Sequence, residues 1–200
     1  MDQEFWNRRY QSEDYVYGEE PNSFLKSSLE SLPSGKIIFP AEGEGRNAVF
    51  AARKGWEVYA FDISFEGMKK ATQLAKKYEV SIHYTCGGYA DIEYEANSFD
   101  VIAFIFSHLT PEVRTSYYIK LLKSLKPGGI VLLEGFHKEQ IGKFSGGPPN
   151  KEMLYDETEL KNDFGVLDDL KIERSDRVLN EGPFHQGMAA LIRMSGKKPG

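Results

Sequence analysis

The 200-residue sequence has one cysteine, no excess of positive charge and no long apolar run. Cys86 alone excludes an internal disulfide and leaves no cysteine spacing of the kind that binds zinc. The formal net charge of −5 argues against a nucleic-acid-binding protein, because such proteins neutralise phosphates with a basic face. No apolar run approaches the roughly 18 residues of a membrane-spanning helix. These absences leave a globular protein for which we predict no metal site, no membrane partner and no nucleic-acid partner.

The amino-terminal residues, MDQEFWNRRY, lack the apolar segment of a secretory signal. We therefore expect a cytoplasmic protein. The length suits one domain over residues 1–200, and a hydrophobic content of 40% is enough to form a buried core. The sequence contains no internal repeat and no low-complexity segment. We expect a monomer or a weak dimer.

Residues 37–64 contain the most informative pattern in the sequence. An apolar run leads to Gly43 and Gly45, and a helical pattern then leads to a second apolar run that stops at Asp62. Glycine permits a sharp turn and a close approach of ligand to backbone, and the first turn of a helix offers unpaired N–H groups. An acid at a strand end can accept two hydrogen bonds from a ribose diol. The pattern predicts a nucleotide or nucleoside site, or an ordinary βαβ unit whose glycines only shape a turn.

Further apolar runs predict the rest of a sheet. Parallel strands are expected over residues 80–85, 99–106 and 130–133, and two long strands over residues 167–177 and 185–195 are expected to pair antiparallel. The predicted fold class is α/β. It is a Rossmann-like, seven-stranded, mostly parallel sheet with helices on both faces and a C-terminal antiparallel hairpin.

Helices are predicted over residues 4–12, 22–32, 65–78 and 156–164, and another is predicted to begin at Pro111. The helix that begins at Pro111 is expected to bury an apolar face made of Val113, Tyr117, Leu121, Leu122 and Leu125.

Four pieces of sequence occur in an order typical of class I methyltransferases that use S-adenosylmethionine. They are the EGEGRN turn at residues 42–47, Asp62, Ala90-Asp91, and the LKPGG piece at residues 125–129. The sequence resembles that family over about Pro21 to Lys197. Within the family it is similar to small bacterial tellurite-resistance and thiopurine methyltransferases, through residues 17–22 and 181–187.

The glycine turn departs from the family pattern, which begins with an acid and a glycine two residues later. Phe39 stands at the acid position and Ala41 at the first glycine position. In the family the acid helps to hold the methionine ammonium group. The resemblance therefore makes Glu42 or Glu44 the local substitute.

The resemblance also implies which matching positions bind the cofactor. Gly43 and Gly45 would line its methionine and ribose, and Asp62 would bind both ribose hydroxyls. The other implied cofactor contacts are Tyr17, Glu42, the adenine-facing Asp91 and Ile92, and Ser107, which would face the methionine end.

Methyl transfer from a sulfonium is an in-line displacement, so the enzyme must align nucleophile and methyl group and exclude water. A covalent nucleophile is not needed, and we interpret Cys86 as a small buried residue. His108, His137 and His185 follow strands or a hairpin, where each is either a candidate proton acceptor or a packing or surface histidine. A thiol, selenol or tellurium acceptor would need no base.

Two features of the sequence reduce the range of possible methyl acceptors. The sequence after the fourth predicted strand has no Asn-Pro-Pro-Tyr or Asp-Pro-Pro-Tyr element, which disfavours amino methylation of adenine or glutamine. The negative net charge argues against RNA. We therefore expect a small-molecule acceptor.

Two other functions fit parts of the pattern. The glycine spacing followed by Asp62 also matches a dinucleotide fingerprint, which favours an NAD-dependent oxidoreductase. The terminal hairpin counts against that function, because it stands where a second mononucleotide-binding half is expected. The replacements Phe39 and Ala41 are compatible with a third function, a non-catalytic S-adenosylmethionine-binding protein.

Two segments carry predictions about access to the site. Residues 1–20 are rich in aromatic side chains, and we predict that they form a lid that orders when the cofactor binds, unless they form a permanently docked helix. Residues 138–155 include a glycine- and proline-rich stretch and are predicted to form a surface loop near the acceptor site.

Overall fold

The computed structural model describes residues 2–200, and these contain six α-helices and seven β-strands. The helices are α1 (Gln3–Tyr10), α2 (Ser23–Glu30), α3 (Arg46–Arg53), α4 (Phe65–Lys77), α5 (Pro111–Ser124) and α6 (Glu157–Phe164). The strands are β1 (Lys36–Pro40), β2 (Glu57–Asp62), β3 (His83–Cys86), β4 (Phe99–Ile105), β5 (Leu125–Phe136), β6 (Asp168–Asn180) and β7 (Gln186–Lys197).

Local side-chain chemistry explains where most of the helices begin. Asp2, Asn22, Ser64 and Asp156 each accept a hydrogen bond from the backbone N–H three residues later, which satisfies one of the unpaired donors of the first turn. Pro111 opens α5, where its missing N–H costs nothing. These signals are local, so the helix starts follow from the sequence.

The chain divides into two compact units, of which the first comprises the residues up to Glu93 together with Glu181–Phe184. In this unit β1, β2 and β3 pair in parallel, with Pro40 opposite Phe61 and Asp62 opposite Cys86. Carboxyl ends of parallel strands meet at one edge. The turn that follows Pro40 therefore lies beside Asp62.

The second unit comprises Tyr94–Asn180 and His185–Gly200. In it β4 pairs in parallel with β5, while β7 pairs antiparallel with both β5 and β6. Every residue of β4 except Asp100 is buried, as expected for a strand covered on both faces. The aromatic core of this unit includes Phe104, Tyr118 and Phe164, whose rings contact one another.

The strand order of the sheet is β3-β2-β1-β4-β5-β7-β6. The predicted fold class, a Rossmann-like and mostly parallel sheet of seven strands with a C-terminal antiparallel hairpin, is confirmed.

The buried face of α5 differs from the prediction by one residue at its start. Arg114 and Tyr118 are buried, whereas Val113 is exposed and Tyr117 is only half-buried. Arg114 pairs with the buried Asp163 at 2.7 Å, and Tyr118 makes a buried hydrogen bond. Apolar periodicity misplaced this face because polar partners supplied by distant elements decide which side of the helix is inside.

Residues 138–155 differ in part from the predicted surface loop. The side chain of Phe144 is fully exposed, but the segment contains the 3-10 turns Lys138–Gln140 and Lys151–Met153 and ends in the buried residues Leu154 and Tyr155. A backbone bridge between His137 and Tyr155 ties its two ends together. Its predicted position near the acceptor site stays a prediction.

Candidate functional site

The turn between β1 and α3 adopts a left-handed backbone at three positions. The φ angles are 52° at Ala41, 67° at Gly43 and 88° at Gly45. A Cβ added to Gly43 would lie 2.6 Å from the Tyr10 hydroxyl oxygen, and one added to Gly45 would lie 2.6 Å from the Ala71 Cβ. Both glycines are therefore required by conformation and by close packing. Ala41 adopts a conformation that costs an L-residue about 1–2 kcal/mol, so the missing first glycine leaves the turn strained.

Asp62, at the end of β2, is held by backbone donors of the first unit. Its Oδ2 accepts from the Gly43 N–H at 3.0 Å, and its Oδ1 accepts from the Ser64 N–H at 2.7 Å. Burial raises the pKa of this carboxyl to about 6, although both hydrogen bonds act to lower it. Each oxygen retains lone-pair capacity after these bonds, as binding a ribose diol requires.

Glu42 caps α3. Its Oε1 accepts from the N–H groups of Asn47, at 2.9 Å, and Ala48, at 2.8 Å. Burial raises the pKa of Glu42 to about 7 against the lowering effect of these bonds. The carboxylate therefore already satisfies two of the helix-start donors that the sequence pattern offered to a ligand.

Glu44 has a different set of partners. Its carboxylate accepts from the N–H groups of Val16 and Tyr17 and pairs with the Lys70 ammonium at 2.6 Å. Lys70 also donates to two backbone carbonyl oxygens of residues 12–14. This buried pair fixes the N-terminal segment to α4, and nothing in the spacing of the sequence marked Lys70 as its partner.

Two tyrosines complete the surroundings of Gly43. The Tyr84 hydroxyl donates to the Gly43 carbonyl oxygen at 2.7 Å, and the Tyr10 ring packs against the glycine. Burial, followed by the negative charge of Asp62, raises the pKa of both tyrosines well above the ordinary value. Both therefore remain neutral hydroxyl groups at any physiological pH.

Helix α1 docks on the start of α4 in this structure. The Asn7 side-chain oxygen accepts from the Ser64 hydroxyl at 2.7 Å, and the Gln3 side chain donates to the Ile63 carbonyl oxygen at 2.9 Å. The Trp6 ring stacks on the Tyr10 ring. The polar anchors Asn7 and Gln3 were not among the sequence-predicted residues, because only the fold shows that they face α4.

The other predicted cofactor contacts of the first unit are Asp91, Ile92 and Tyr17, and they differ in burial. Asp91 is exposed and accepts from the Gly88 N–H at 2.9 Å, while Ile92 is buried. Tyr17 is half-buried and receives a hydrogen bond from Arg9 at 3.2 Å. Their assignment to the cofactor stays a prediction.

In the second unit, the chain turns sharply after β4. Phe106 has a φ of 53°, which is rare for a large side chain and marks a position that its surroundings hold under strain. Its N–H donates to the Glu134 carbonyl oxygen, and its ring packs against those of Phe136 and His185. The strained turn buries Ser107, whose carbonyl oxygen accepts from the Tyr155 hydroxyl.

His108 uses both of its ring nitrogens. Nδ1 lies 2.9 Å from the Met153 carbonyl oxygen, and Nε2 accepts from the Phe136 N–H at 3.2 Å. These partners require a neutral ring with its proton on Nδ1. Burial lowers the pKa of His108 to about 4, and electrostatic interaction with His185 and Arg114 acts in the same direction. A role as proton acceptor would require His108 to give up the bond to Phe136.

His137 and His185 are also buried within the second unit. His137 Nδ1 accepts from the Glu139 N–H at 3.2 Å, and its Nε2 lies 3.5 Å from the Glu157 carboxylate. The His185 ring packs edge-on against the rings of Phe106 and Phe136. His137 thus begins a short 3-10 turn, and the proton-acceptor role of either histidine stays a prediction.

Two kinds of feature are absent from the part of the chain that the structure describes. Within residues 2–200, no group of three or more histidine, cysteine, aspartate or glutamate side chains is arranged to hold a metal ion. Within the same residues, no helix is both long enough and apolar enough to cross a membrane.

Residues 40–129 match a protein family whose description is "Methyltransferase domain". A 115-residue stretch is 32% identical to the carboxy-S-adenosyl-L-methionine synthase of Shewanella loihica, and this stretch is 56% of the chain and 44% of that relative. The chain thus matches less than half the length of this curated relative.

Comparisons of structure extend the likeness to almost the entire chain. TehB from Haemophilus influenzae superposes with a TM-score of 0.70 at 15% identity, over 98% of this chain and 66% of that one. Phosphoethanolamine N-methyltransferase 2 of Haemonchus contortus, solved with S-adenosyl-L-methionine, superposes with a TM-score of 0.71 at 14% identity, over 98% and 56%. At such identities the likeness concerns the fold. Together with the sequence match it confirms the predicted resemblance: the chain has the class I methyltransferase fold, and residues 40–129 match the methyltransferase domain family.

Proposed function

We propose that the protein binds S-adenosylmethionine and transfers its methyl group to a small-molecule acceptor. The observation that carries this proposal is Asp62, which is buried at the end of β2 and bonded to the N–H of Gly43 inside the matched segment. The same carboxylate and glycine turn are needed to bind the nucleoside part of the cofactor.

The residues of the first unit fit such a cofactor. Asp62 would accept from the ribose hydroxyls beside the turn, whose two glycines are packed against Tyr10 and Ala71. When bound, S-adenosylmethionine supplies a methyl group already activated by the sulfonium. Glu42 is committed to α3, and Glu44 to Lys70, so the methionine ammonium would share a carboxylate that also has a structural task.

In this reaction the chain would align the acceptor nucleophile with the methyl group and exclude water from both. The histidine at the end of β4, His108, has both nitrogens bonded and a pKa lowered to about 4, which favours an acceptor that needs no strong base. A thiolate or another soft nucleophile is such an acceptor.

Isothermal titration calorimetry tests the cofactor. We expect S-adenosylmethionine and S-adenosylhomocysteine to bind at least ten times more tightly than NAD. Asp62→Ala should lower the affinity at least tenfold, because it removes two charge-assisted hydrogen bonds to ribose of roughly 1.5–3 kcal/mol each. Glu57→Ala, at the exposed opposite end of the same strand, is the matched control. NAD binding equal to or tighter than S-adenosylmethionine binding would support the oxidoreductase alternative instead.

A turnover screen with thiols, selenite, tellurite and small carboxylates tests the reaction. Formation of S-adenosylhomocysteine with an acceptor supports methyl transfer. Tight cofactor binding without any turnover across the screen would favour the non-catalytic alternative.

The likeness to a carboxy-S-adenosyl-L-methionine synthase favours a second candidate, in which the cofactor itself is modified. Mass spectrometry of the nucleoside products separates the two candidates. Methyl transfer yields S-adenosylhomocysteine, whereas the second candidate yields a carboxylated S-adenosylmethionine and requires an added carboxyl-group donor, which must therefore be included in the reaction.

The N-terminal segment is proposed to cover the bound cofactor. Helix α1 is docked here through Asn7, and its Tyr10 side chain packs on Gly43, so it has the contacts that a cover needs. If the segment is a lid, amides of residues 4–17 exchange quickly in the free protein and slow markedly with S-adenosylhomocysteine. Equal protection in both states would instead show a permanently docked helix. Deletion of residues 1–18 should leave a folded protein with weak cofactor binding.

A further inference from the structure

The first unit contains a cavity of about 470 Å³ whose lining does not include the residues of the glycine turn or Asp62. Its lining includes Phe5, Arg8, Arg9, Ser12, Asp14 and Phe184. The volume lies within the range of small-molecule sites, which is roughly 300–1,000 Å³. Two arginines and one aspartate give the lining an excess of positive charge.

Arg9 supplies the cavity with a positively charged guanidinium group that lies near two aromatic rings. Its guanidinium carbon lies 4.1 Å from the centre of the Phe184 ring and 5.1 Å from that of the Phe5 ring. One N–H donates to the Tyr17 hydroxyl at 3.2 Å. Within residues 2–200, Arg9 forms no ion pair, whereas its neighbour Arg8 pairs with Glu4 at 2.6 Å.

This arrangement leaves most of the donors of a half-buried guanidinium unused. Arginine carries five N–H donors, and aromatic contacts occupy its faces without using any of them. No nitrogen of Arg9 is both buried and without a partner, so its remaining N–H groups face solvent and are open to a ligand. An anion that enters the cavity would accept from these donors in place of water, and its apolar body would contact the two phenylalanine rings.

The wall that carries Phe184 is firmly attached within the first unit. Glu181 pairs with Arg46 at 2.7 Å in a largely buried contact, and the Phe184 N–H donates to the Val16 carbonyl oxygen. A Cβ on Gly182 would lie 2.4 Å from the Gly18 nitrogen, so the two chain segments touch at backbone distance. The aromatic wall is therefore preorganised, which reduces the entropy that binding must offset.

We propose that this cavity binds an organic anion with an aromatic or other apolar body, and that Arg9 is its specificity-determining residue. Binding itself is independent of the reaction, but the role of this anion as a reactant rests on the proposed function. The test is run without cofactor and with saturating S-adenosylhomocysteine, because Arg9 lies in the N-terminal segment that we propose to order on cofactor binding. Anion binding in either state, in the absence of turnover, would support this proposal and leave the proposed function unsupported.

The experiment is equilibrium binding of 2-naphthoate and of its uncharged analogue 2-naphthamide, measured by ligand-detected NMR and titration on the full chain. We expect naphthoate to bind at least ten times more tightly than naphthamide. Arg9→Met, which retains an apolar stem between the rings, should lower naphthoate affinity at least tenfold and bring the two ligands level. Arg9→Lys should give an intermediate loss, because the charge remains and the planar fork does not.

Arg53→Met is the matched control in the same unit, and we expect less than a twofold change, because Arg53 is exposed on α3 and does not line the cavity. Equal affinity of the two ligands for the unaltered protein would overturn the proposal, and so would unchanged naphthoate binding by Arg9→Met. Should Arg9→Met fail to fold, the comparison of the two ligands on the unaltered protein still decides.

Discussion

The first unit surrounds its glycine turn with carboxylates, whereas the second unit surrounds the end of β4 with neutral rings. Asp62 and Glu42 are held by backbone N–H donors and retain carboxyl groups with raised pKa values. His108 and Tyr155 are bonded to backbone carbonyl oxygens, and burial removes their charge from the physiological range.

The difference shows that the first unit buries groups able to carry negative charge, whereas the second unit buries neutral rings. Backbone N–H groups stabilise a buried carboxylate without neutralising it, so the first unit keeps acceptors for a polar ligand. Burial and the hydrogen bonds at both ring nitrogens favour a neutral imidazole, so His108 carries no charge at neutral pH. Four predictions test the two sides of the comparison, from the largest expected effect to the smallest.

The largest expected effect on stability comes from removing the ammonium group of Lys70, the partner of the buried Glu44 carboxylate. Lys70→Met leaves the buried Glu44 carboxylate without its ammonium partner, and we expect the free energy of unfolding to fall by roughly 3–5 kcal/mol. Urea denaturation measures this change in the free energy of unfolding. Adding Glu44→Gln to the same chain should restore a large part of the loss. If the double variant is no more stable than Lys70→Met, the loss does not come from the unpaired charge.

The neutral network of the second unit is tested by His108→Phe. The substitution keeps a ring between Phe136 and Tyr155 but leaves one N–H and one carbonyl group unpaired, so we expect a loss of roughly 2–3 kcal/mol in unfolding free energy. Affinity for S-adenosylmethionine should stay within a factor of two. His83→Phe, on an exposed position of β3, is the control. An unchanged urea midpoint would contradict the proposed hydrogen-bonding role of His108.

The raised pKa values of the first unit predict how stability depends on pH. Asp62, near 6, and Glu42, near 7, hold protons more tightly in the folded state than in the unfolded state. These two carboxyl groups therefore add stability as the pH falls from about 8 towards 5, by roughly 1.5 kcal/mol for Asp62 and about 2.5 kcal/mol for Glu42. Asp62→Asn and Glu42→Gln should each flatten this slope in urea titrations at pH 8, 6.5 and 5. A slope unaffected by both substitutions would place the titrating groups elsewhere.

The smallest expected effect concerns the strained turn. Ala41→Gly removes the cost of a left-handed backbone and should raise the unfolding free energy by about 1 kcal/mol at most, since glycine also loses more entropy on folding. Ala48→Gly in α3 is the matched control and should lower stability by about 1 kcal/mol. Thermal melting of both variants shows whether each substitution raises or lowers the stability of the protein. Destabilisation by Ala41→Gly would show that the alanine methyl group contributes packing that outweighs the strain.

The sequence by itself determined the architecture and the position of the glycine turn. Apolar runs, the two glycines and Asp62 are local signals, and their order along the chain restricts the fold to a parallel α/β sheet with a terminal hairpin. Helix starts were equally accessible, because capping side chains act within one turn.

Only the tertiary structure decided which polar groups meet. Lys70 pairs with Glu44 across 26 residues, and Tyr84 reaches Gly43 across 41, so no periodicity in the sequence connects them. The same holds for His108, whose bonds to Met153 and Phe136 hold the ring in its neutral form, while its predicted role as proton acceptor stays a prediction. The physical reason is that burial and hydrogen-bond partners set the charge of a side chain, and both are supplied by elements that are distant in the sequence.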